Sequence, residues 1–301
     1  MSQYAIETDS LTKVFDGNKV AVNNLKLKVE KGKVFGLLGR NGCGKTTTLK
    51  MVMGLMRPSS GSAKINGQNM YISSYEERQK VAYVSQKQQL HDWMSIDELC
   101  YYLSHFYRNW DQEFADSLIE KFNLERNISV GLMSGGEQRK VAVILALATQ
   151  PEVLILDEPA AGLDPISRRE LIDSLVDLLT RIEGCTIILS THILSDLERI
   201  ADVIGVMKSG SLSFCEDLET IQNSFRKIQL IFEDGCVPEN LQIPGVLKQD
   251  IQGPVVSALV KIDDISDLDH FKEDSNVRYL EHPVGLEEAF IQYLGEDSNV
   301  K

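Results

Sequence analysis

A glycine-rich segment after a short apolar run constrains the fold of this chain more than any other feature. The run, Val34–Leu38, has the length and composition of a buried strand. Residues 47–56 are typical of a helix, which Pro58 would stop. Between them lies Gly39-Arg40-Asn41-Gly42-Cys43-Gly44-Lys45-Thr46, which fits the phosphate-binding pattern G-x-x-x-x-G-K-[ST] in its required strand–loop–helix setting. We call residues 39–46 the phosphate loop and expect an α/β fold around it.

The residue types of the phosphate loop suit the triphosphate of a nucleotide. Its glycines let consecutive backbone N–H groups point at phosphate oxygens, and the following helix adds a favourable dipole. Lys45 supplies a flexible positive charge for the β- and γ-phosphates, and the Thr46 hydroxyl is suited to binding Mg²⁺. The loop alone leaves a small-molecule kinase, a GTPase, a helicase and a transporter ATPase open.

Two further apolar runs predict strands, and the first of them ends in a pair of carboxylates. Residues 153–156 lead into Asp157 and Glu158, and residues 186–189 lead towards His192. In a parallel sheet, ligands bind at the carboxyl ends of the strands. Asp157 is suited to Mg²⁺, and Glu158 to polarising a water aimed at the γ-phosphate.

A glycine pair introduces another predicted helix. Ser134-Gly135-Gly136-Glu137 precedes the helical pattern of residues 138–150 and forms a capping-box sequence. The two glycines leave backbone N–H groups unscreened, which makes the helix start a candidate anion site. Taken alone, the segment is equally compatible with an ordinary, well-capped helix.

In this order the motifs resemble those of the nucleotide-binding subunit of the ABC transporter superfamily. The resemblance covers residues 4–220. Besides the phosphate loop and Asp157-Glu158, five features match the family's pattern. They are the adenine-stacking aromatic Phe15, the glutamine Gln86, the signature segment 132–138, the subunit-crossing loop 161–164 and the switch histidine His192.

The resemblance implies an ATP and Mg²⁺ site shared between two subunits. It assigns catalysis to Glu158, His192 and Lys45, and Mg²⁺ to Thr46, Gln86 and Asp157. Nucleotide contacts within one subunit are Phe15, Gly39, Arg40, Asn41, Gly42, Cys43, Gly44, Lys45, Thr46, Thr47 and Gln86. Contacts contributed by the partner subunit are Ser134, Gly135, Gly136 and Asp164.

The family's fold implies an α/β P-loop NTPase. It has a RecA-like parallel sheet core, an N-terminal antiparallel β subdomain and an inserted helical subdomain, here at about residues 87–150. The ATPase domain is expected over residues 1–220. Short apolar runs at 227–232, 255–262 and 277–280, with a helical pattern over 286–294, predict a small C-terminal α+β accessory domain over residues 221–301.

Two sites differ from the commonest family pattern. In the signature, Met133 and Glu137 replace Leu and Gln, and Glu137 is suited to closing the capping box rather than contacting ligand. Cys43 stands in the phosphate loop where the family commonly has a small residue. Inward N–H groups and Lys45 favour a lowered pKa for this thiol. The alternative is that Cys43 is simply a tolerated small side chain.

Aromatic residues crowd together just after Gln86, at residues 91–114. The family places a groove there for a short helix of the membrane subunit. Leu99, Tyr102, Leu103 and Phe106 have helical spacing, which is typical of core residues. His91 and Trp93 are the residues expected to be exposed.

Composition and charge limit the partners and the location. No apolar run approaches the 18 or so residues of a spanning helix, and the first ten residues lack a signal-peptide pattern. Five cysteines, an odd number without close spacing, indicate reduced thiols in a reducing compartment, and a net charge of −13 argues against nucleic acid. We expect a peripheral protein on the cytoplasmic side of a bacterial cell membrane. It would serve separately encoded transmembrane subunits and pair with a second ATPase subunit, identical or paralogous.

The predicted function is ATP hydrolysis that drives a membrane transporter. Residues 285–290 resemble the corresponding segment of ATPases that serve bacterial drug, lantibiotic and peptide exporters, so export is expected rather than import. The alternative is a soluble ABC-type ATPase without a membrane partner. A P-loop kinase would explain neither Ser134–Glu137 nor His192.

Overall fold

The chain divides into two compact units, residues 1–215 and 216–301, in its computed structural model. The structure describes residues 2–87, 90–179, 184–238, 240–262, 265–282, 284–285 and 287. Among these, no helix combines the length and apolar character needed to cross a bilayer.

The first unit alternates strands and helices. Its strands are β1 (Tyr4–Phe15), β2 (Lys19–Leu25), β3 (Lys28–Glu30), β4 (Val34–Leu38), β5 (Ser60–Ile65), β6 (Val81–Val84), β7 (Val153–Asp157), β8 (Thr186–Thr191), β9 (Val203–Lys208) and β10 (Ser211–Asp217). Its helices are α1 (Lys45–Val52), α2 (Tyr75–Gln79), α3 (Ile96–Ser104), α4 (Gln112–Lys121), α5 (Gly135–Ala148), α6 (Pro165–Leu179) and α7 (Leu194–Leu197).

A four-stranded antiparallel sheet forms the N-terminal part of this unit. The long strand β1 pairs with β2, β3 and β5, and every pairing is antiparallel. Ile6 and Leu11 of β1 are fully buried, on either side of an irregularity in the strand. The predicted antiparallel β subdomain is confirmed.

A six-stranded sheet in the order β10-β9-β4-β8-β7-β6 forms the centre of the unit. Strands β9, β4, β8, β7 and β6 are parallel to one another. Every residue of β4, β7 and β8 is buried, because helices cover both faces of such a sheet. The carboxyl ends of these three strands are adjacent, and they deliver the phosphate loop, Asp157-Glu158 and His192 to one edge.

The helical segment between β6 and β7 contains α3, α4 and α5. Leu99 on α3 is buried, as predicted, but Tyr102 and Phe106 are 43% and 46% exposed, so the prediction that they are core residues is wrong. The face of α3 that packs inward is narrow, with Ile96, Leu99 and Cys100 as its buried residues. His91 and Trp93 are exposed, as predicted.

The second unit is a small α+β arrangement. Its elements are α8 (Leu218–Ser224), β11 (Phe225–Phe232), β12 (Val246–Gln252), β13 (Val255–Lys261), α9 (Asp269–Glu273) and β14 (Val277–His282). The strands form an antiparallel sheet in the order β12-β13-β11-β14. Strand β12 was not predicted, because its residues are mostly polar and exposed and show no alternation. Apart from Glu287, the helix predicted over residues 286–294 lies outside the described residues.

Candidate functional site

The phosphate loop is packed so closely against its surroundings that two of its glycines have no room for a side chain. Gly44 has φ 112°, and a Cβ there would lie 2.4 Å from the carbonyl oxygen of Ala21. A Cβ on Gly39 would lie 2.6 Å from the carbonyl oxygen of Met207. Helix α1 starts immediately afterwards, at Lys45, without any side-chain cap. Its first N–H groups therefore face an open end, which favours an anion.

Three predicted catalytic residues form a chain of polar contacts at the edge of the sheet. Lys45 Nζ lies 3.0 Å from Glu158 Oε1, and the two side chains are 5% and 4% exposed. Nζ also donates to the carbonyl oxygens of Gly39 and Arg40. The other Glu158 oxygen, Oε2, is 2.9 Å from His192 Nδ1. Glu158 therefore contacts Lys45 through one carboxylate oxygen and His192 through the other.

Asp157 is fully buried beside this chain and accepts hydrogen bonds from three hydroxyls. Its Oδ1 accepts from Thr46 Oγ1 at 3.1 Å and from Ser190 Oγ at 2.7 Å. Its Oδ2 accepts from the Tyr83 hydroxyl at 3.2 Å. Burial, and then the Asp157 charge, raises the pKa of Tyr83, so this phenol remains a donor.

The roles of Ser190 and Tyr83 were not predicted, although both residues lie within motifs that were. In the sheet, Asp157 lies opposite Ser190 on the neighbouring parallel strand. An alignment of the predicted strands β7 and β8 by their carboxyl ends could have found that pair. Tyr83 gave no comparable signal, because β6 is adjacent to β7 only in the folded sheet.

The backbone of Glu158 is held in a strained conformation. Its φ is 49°, in the left-handed region, at a cost on the order of 1–3 kcal/mol. The Glu158 N–H donates to the backbone oxygen and the side-chain oxygen of Ser190, at 3.1 and 3.0 Å. Arg139 on α5 donates to the carbonyl oxygens of Glu158, Pro159 and Gln86. This role of Arg139 was not predicted, because in the sequence Arg139 is one of several charged residues on a predicted helix.

A cavity of about 410 Å³ opens in front of these groups. That volume is within the range of small-molecule sites. Its lining residues are Phe15, Lys19, Val20, Ala21, Asn41, Gly42, Gly44, Lys45, Thr46, Thr47, Gln86 and Glu158. Nine of these twelve residues were predicted nucleotide contacts or catalytic groups; Lys19, Val20 and Ala21 of β2 were not. Phe15 lies at the mouth, 40% exposed.

Gly39, Arg40 and Cys43 do not line the cavity. The first two contribute the carbonyl oxygens that hold Lys45, and Cys43 is half-buried behind the loop. Burial raises the pKa of the Cys43 thiol and outweighs the opposing effect of the Lys45 charge. The prediction of a lowered pKa for Cys43 is therefore wrong.

The signature residues lie away from this cavity. The predicted capping box is confirmed: Glu137 N–H donates to Ser134 Oγ at 3.3 Å, and Ser134 N–H donates to Glu137 Oε2 at 2.8 Å. The Ser134 hydroxyl also donates to Glu137 Oε2 at 2.8 Å, and this bond, followed by the one from the Ser134 N–H, lowers the pKa of Glu137. A Cβ on Gly135 would meet no atom within 4 Å. Asp164 caps α6 through the N–H groups of Ile166 and Ser167. Ser134, Gly135, Gly136 and Asp164 are all absent from the cavity lining.

Comparison with known proteins places these motifs in a family. The model of the ABC transporter family matches residues 22–161. The bacitracin transport ATP-binding protein BcrA of Enterococcus faecalis is 37% identical over 212 residues, which cover 70% of this chain and 68% of BcrA. The chain belongs to the ABC transporter family. Its phosphate loop and most of its predicted site residues fall within the matched segment.

Other family members match over nearly the whole chain. The ABC transporter ATP-binding protein YtrB of Bacillus subtilis is 29% identical over 96% of this chain and 98% of its own length. The Nod factor export ATP-binding protein I of Burkholderia lata is 30% identical over 93% of this chain and 94% of its own.

Solved structures of the family share the fold. An ATP-binding subunit of an ABC transporter matches with a TM-score of 0.63 and 28% identity, over 73% of this chain and 92% of that one. CbiO1 from Clostridium perfringens, part of the transporter complex cbiONQ, matches with a TM-score of 0.63 and 26% identity, over 72% and 90%. The predicted α/β P-loop fold and family are confirmed. As an ABC ATP-binding subunit, the chain binds and hydrolyses ATP.

Proposed function

We propose that this chain hydrolyses Mg²⁺-bound ATP to drive export through separate transmembrane subunits. The buried ion pair of Lys45 and Glu158, with the half-buried His192 on the other Glu158 oxygen, is the observation that carries the proposal. Such a group of charges is costly to bury, and its position beside an uncapped helix start suits a γ-phosphate.

The residues of this chain have distinct tasks in hydrolysis. Lys45 leaves Glu158 to bind the β- and γ-phosphates, which frees Glu158 to act on the attacking water. Lys45 is the one described partner of Glu158 Oε1, so this oxygen is suited to take that water's proton once Lys45 binds the phosphates. As the water oxygen attacks the γ-phosphorus, the bond from that phosphorus to the bridging oxygen breaks. ADP is the leaving group, and the water oxygen becomes part of inorganic phosphate. His192 holds Glu158 in place through Oε2.

A magnesium ion would fit between the loop and β7. Thr46, Asp157 and Gln86 offer a hydroxyl, a carboxylate and an amide oxygen, the hard donors that Mg²⁺ prefers. Thr46 and Asp157 already touch at 3.1 Å, whereas Gln86 lies at the cavity lining. When bound, the ion supplies positive charge to the phosphate oxygens. Among the described residues, no cluster of three His, Cys, Asp or Glu offers another site.

The second half of the nucleotide site would come from another ATPase subunit. Ser134, Gly135 and Asp164 all lie on the surface and away from the cavity of their own chain. Apolar side chains stand exposed beside them, with Leu132 at 80% and Ile166 at 72%. Exposed apolar groups next to an anion-binding helix start support a subunit contact that closes over ATP.

The transmembrane subunits would dock on an aromatic surface formed by Tyr101 and Tyr102 of α3 together with the neighbouring His91, Trp93 and Phe106. Trp93 and Tyr101 are 72% and 70% exposed, and the rings of Tyr102 and Phe106 pack at 5.0 Å. Such rings are suitable anchors for a short helix. We expect Trp93→Ala to reduce transport more than basal ATP hydrolysis. Equal losses of transport and basal hydrolysis would count against this docking surface.

The direction of transport rests on relatives. One relative is named for Nod factor export and another for bacitracin transport, which supports export at the cytoplasmic side of the membrane. The exporter-like segment 285–290 lies largely outside the described residues. The alternative remains an ABC-type ATPase that works without a membrane partner.

Glu158→Gln tests the proposal, because it keeps the shape of the side chain and removes the base. We expect ATP binding to persist, turnover to fall by about 10²–10⁴-fold, and an ATP-bound dimer to accumulate in sedimentation experiments. Glu152→Gln is the matched control, the same change just before the other end of β7, and should leave turnover unchanged. A Glu158→Gln variant that hydrolyses ATP normally, or stays monomeric with ATP and its membrane subunits, contradicts the proposal.

A further inference from the structure

Strand β12 forms an exposed edge of the sheet in the second unit. It pairs with β13 on one side and with no other described strand. Six of its seven residues are exposed, so its outer backbone groups lie at the surface. An edge of this length can pair with a strand of another chain.

The core of this unit is incompletely covered at the same edge. Ile251 lies opposite Val256, and Val246 opposite Val260, so both share the face of the sheet that carries the buried core. Yet Ile251 is 49% exposed and Val246 is 42% exposed. Another strand beside β12 would cover apolar area that the second unit leaves in water.

The charges of β12 indicate which kind of strand could pair with its free edge. Lys248 forms no ion pair within the described residues, and Asp250 accepts only the Gln252 amide. If two copies of β12 pair antiparallel about Gln249, each Lys248 lies opposite Asp250 of the other copy. Opposite charges at directly facing positions stabilise such a pair.

Neighbouring registers are unfavourable. If the pairing is centred on Lys248, two lysines face each other, and if it is centred on Asp250, two aspartates do. Like charges directly opposite are destabilising. The strand is therefore complementary to itself in one register, which is what a two-fold symmetric contact requires.

We propose that β12 is a contact site for a second copy of this chain, with the two sheets joined edge to edge about Gln249. One pair of seven-residue strands buries less surface than a stable dimer needs. The contact is therefore weak by itself and acts by keeping two ATPase units at high local concentration. It does not depend on nucleotide, so its test is independent of the ATP-bound dimer proposed above.

Disulfide trapping tests the register in the full-length chain. With the two exposed cysteines replaced (Cys215→Ser and Cys236→Ser), we expect Gln249→Cys to give a cross-linked dimer without nucleotide, because facing Cα atoms in antiparallel strands lie about 4.5–5.5 Å apart. Gln252→Cys is the matched control on the same strand. Its two copies would lie far apart, so it should remain monomeric. A monomeric Gln249→Cys, or equal cross-linking of both variants, overturns the proposal.

Charge exchange in the Gln249→Cys background tests the partner. We expect Lys248→Asp alone to reduce the initial cross-linking rate about tenfold, and Lys248→Asp with Asp250→Lys to restore it. Arg278→Asp, a charge reversal on the opposite edge strand β14, should have no effect. Failure of the double variant to recover would mean that β12 does not pair with itself, and that another partner or the neighbouring chain segments cover it.

Discussion

The starts of helices α1 and α5 show two different uses of a helix N-terminus within one unit. Helix α1 begins after Gly44 without a side-chain cap, and its surroundings, Lys45, Asp157 and Glu158, are almost completely buried. Helix α5 begins after Ser134 with a complete capping box, and Ser134 and Gly135 are exposed. In α5 the Ser134 side chain accepts from the Glu137 N–H, whereas no side chain caps the start of α1. The first start lines a cavity of its own chain, and the second lies on the surface.

The largest effect is expected at α1. Lys45→Ala removes the cation between the loop carbonyls and Glu158, and leaves a buried carboxylate unpaired. We expect ATP binding to be lost and turnover to fall by about 10³-fold. Fluorescent-nucleotide binding and steady-state ATPase assays measure this. Lys50→Ala, later on the same helix, is the control, and a Lys45→Ala variant with normal ATP affinity would break the comparison.

Gly135→Asp tests whether the start of α5 contacts nucleotide bound by another subunit or is simply exposed surface. The new side chain meets nothing within this chain, and an acidic residue in the first turn favours the helix. We therefore expect unchanged melting temperature and unchanged nucleotide binding by the monomer. Turnover should nevertheless fall by about 10²-fold, because the carboxylate would oppose the nucleotide of another subunit. Normal turnover of the Gly135→Asp variant would show that the start of α5 is not part of the proposed nucleotide site.

Disrupting the capping box of α5 is expected to have a smaller effect, on the stability of the fold. Glu137→Ala should lower the free energy of unfolding by about 1 kcal/mol, and Glu137→Gln by less. Because the hydrogen bonds to Ser134 lower the pKa of Glu137, the carboxylate stabilises the fold above its unfolded pKa. That contribution is lost as pH falls through the lowered folded value. Denaturation at neutral and acid pH measures this. The difference in free energy of unfolding between wild type and Glu137→Ala should become smaller at acid pH.

The smallest effect concerns Cys43, the unusual residue of the phosphate loop. Its raised pKa leaves little thiolate at neutral pH. We expect a maleimide to label the exposed Cys215 and Cys236 first, and Cys43 slowly, with a rate that rises with pH. Labelling of Cys43 should block ATP binding, and bound ATP should protect it. Unchanged inhibition in Cys43→Ala would show that another thiol is responsible.

Much of the site could be predicted because its key signals are local. The strand–loop–helix pattern, the apolar runs before Asp157 and His192, and the Ser134–Glu137 box each lie within about two dozen consecutive residues. Their order along the chain was sufficient to indicate the family. The aromatic face of α3 was misjudged, because helical spacing places Tyr102 and Phe106 together without saying whether protein or solvent covers them.

The sequence by itself determined the chemistry of each half-site, since backbone geometry and capping depend on neighbouring residues. Only the tertiary structure decided which distant groups support them. Tyr83 reaches Asp157 across 74 residues, and Thr46 reaches it across 111. It also decided that burial, rather than the nearby lysine, governs the pKa of the Cys43 thiol, and that the polar segment β12 is an edge strand. Desolvation and strand pairing depend on what packs around a residue, and that information is not contained in any short stretch of the chain.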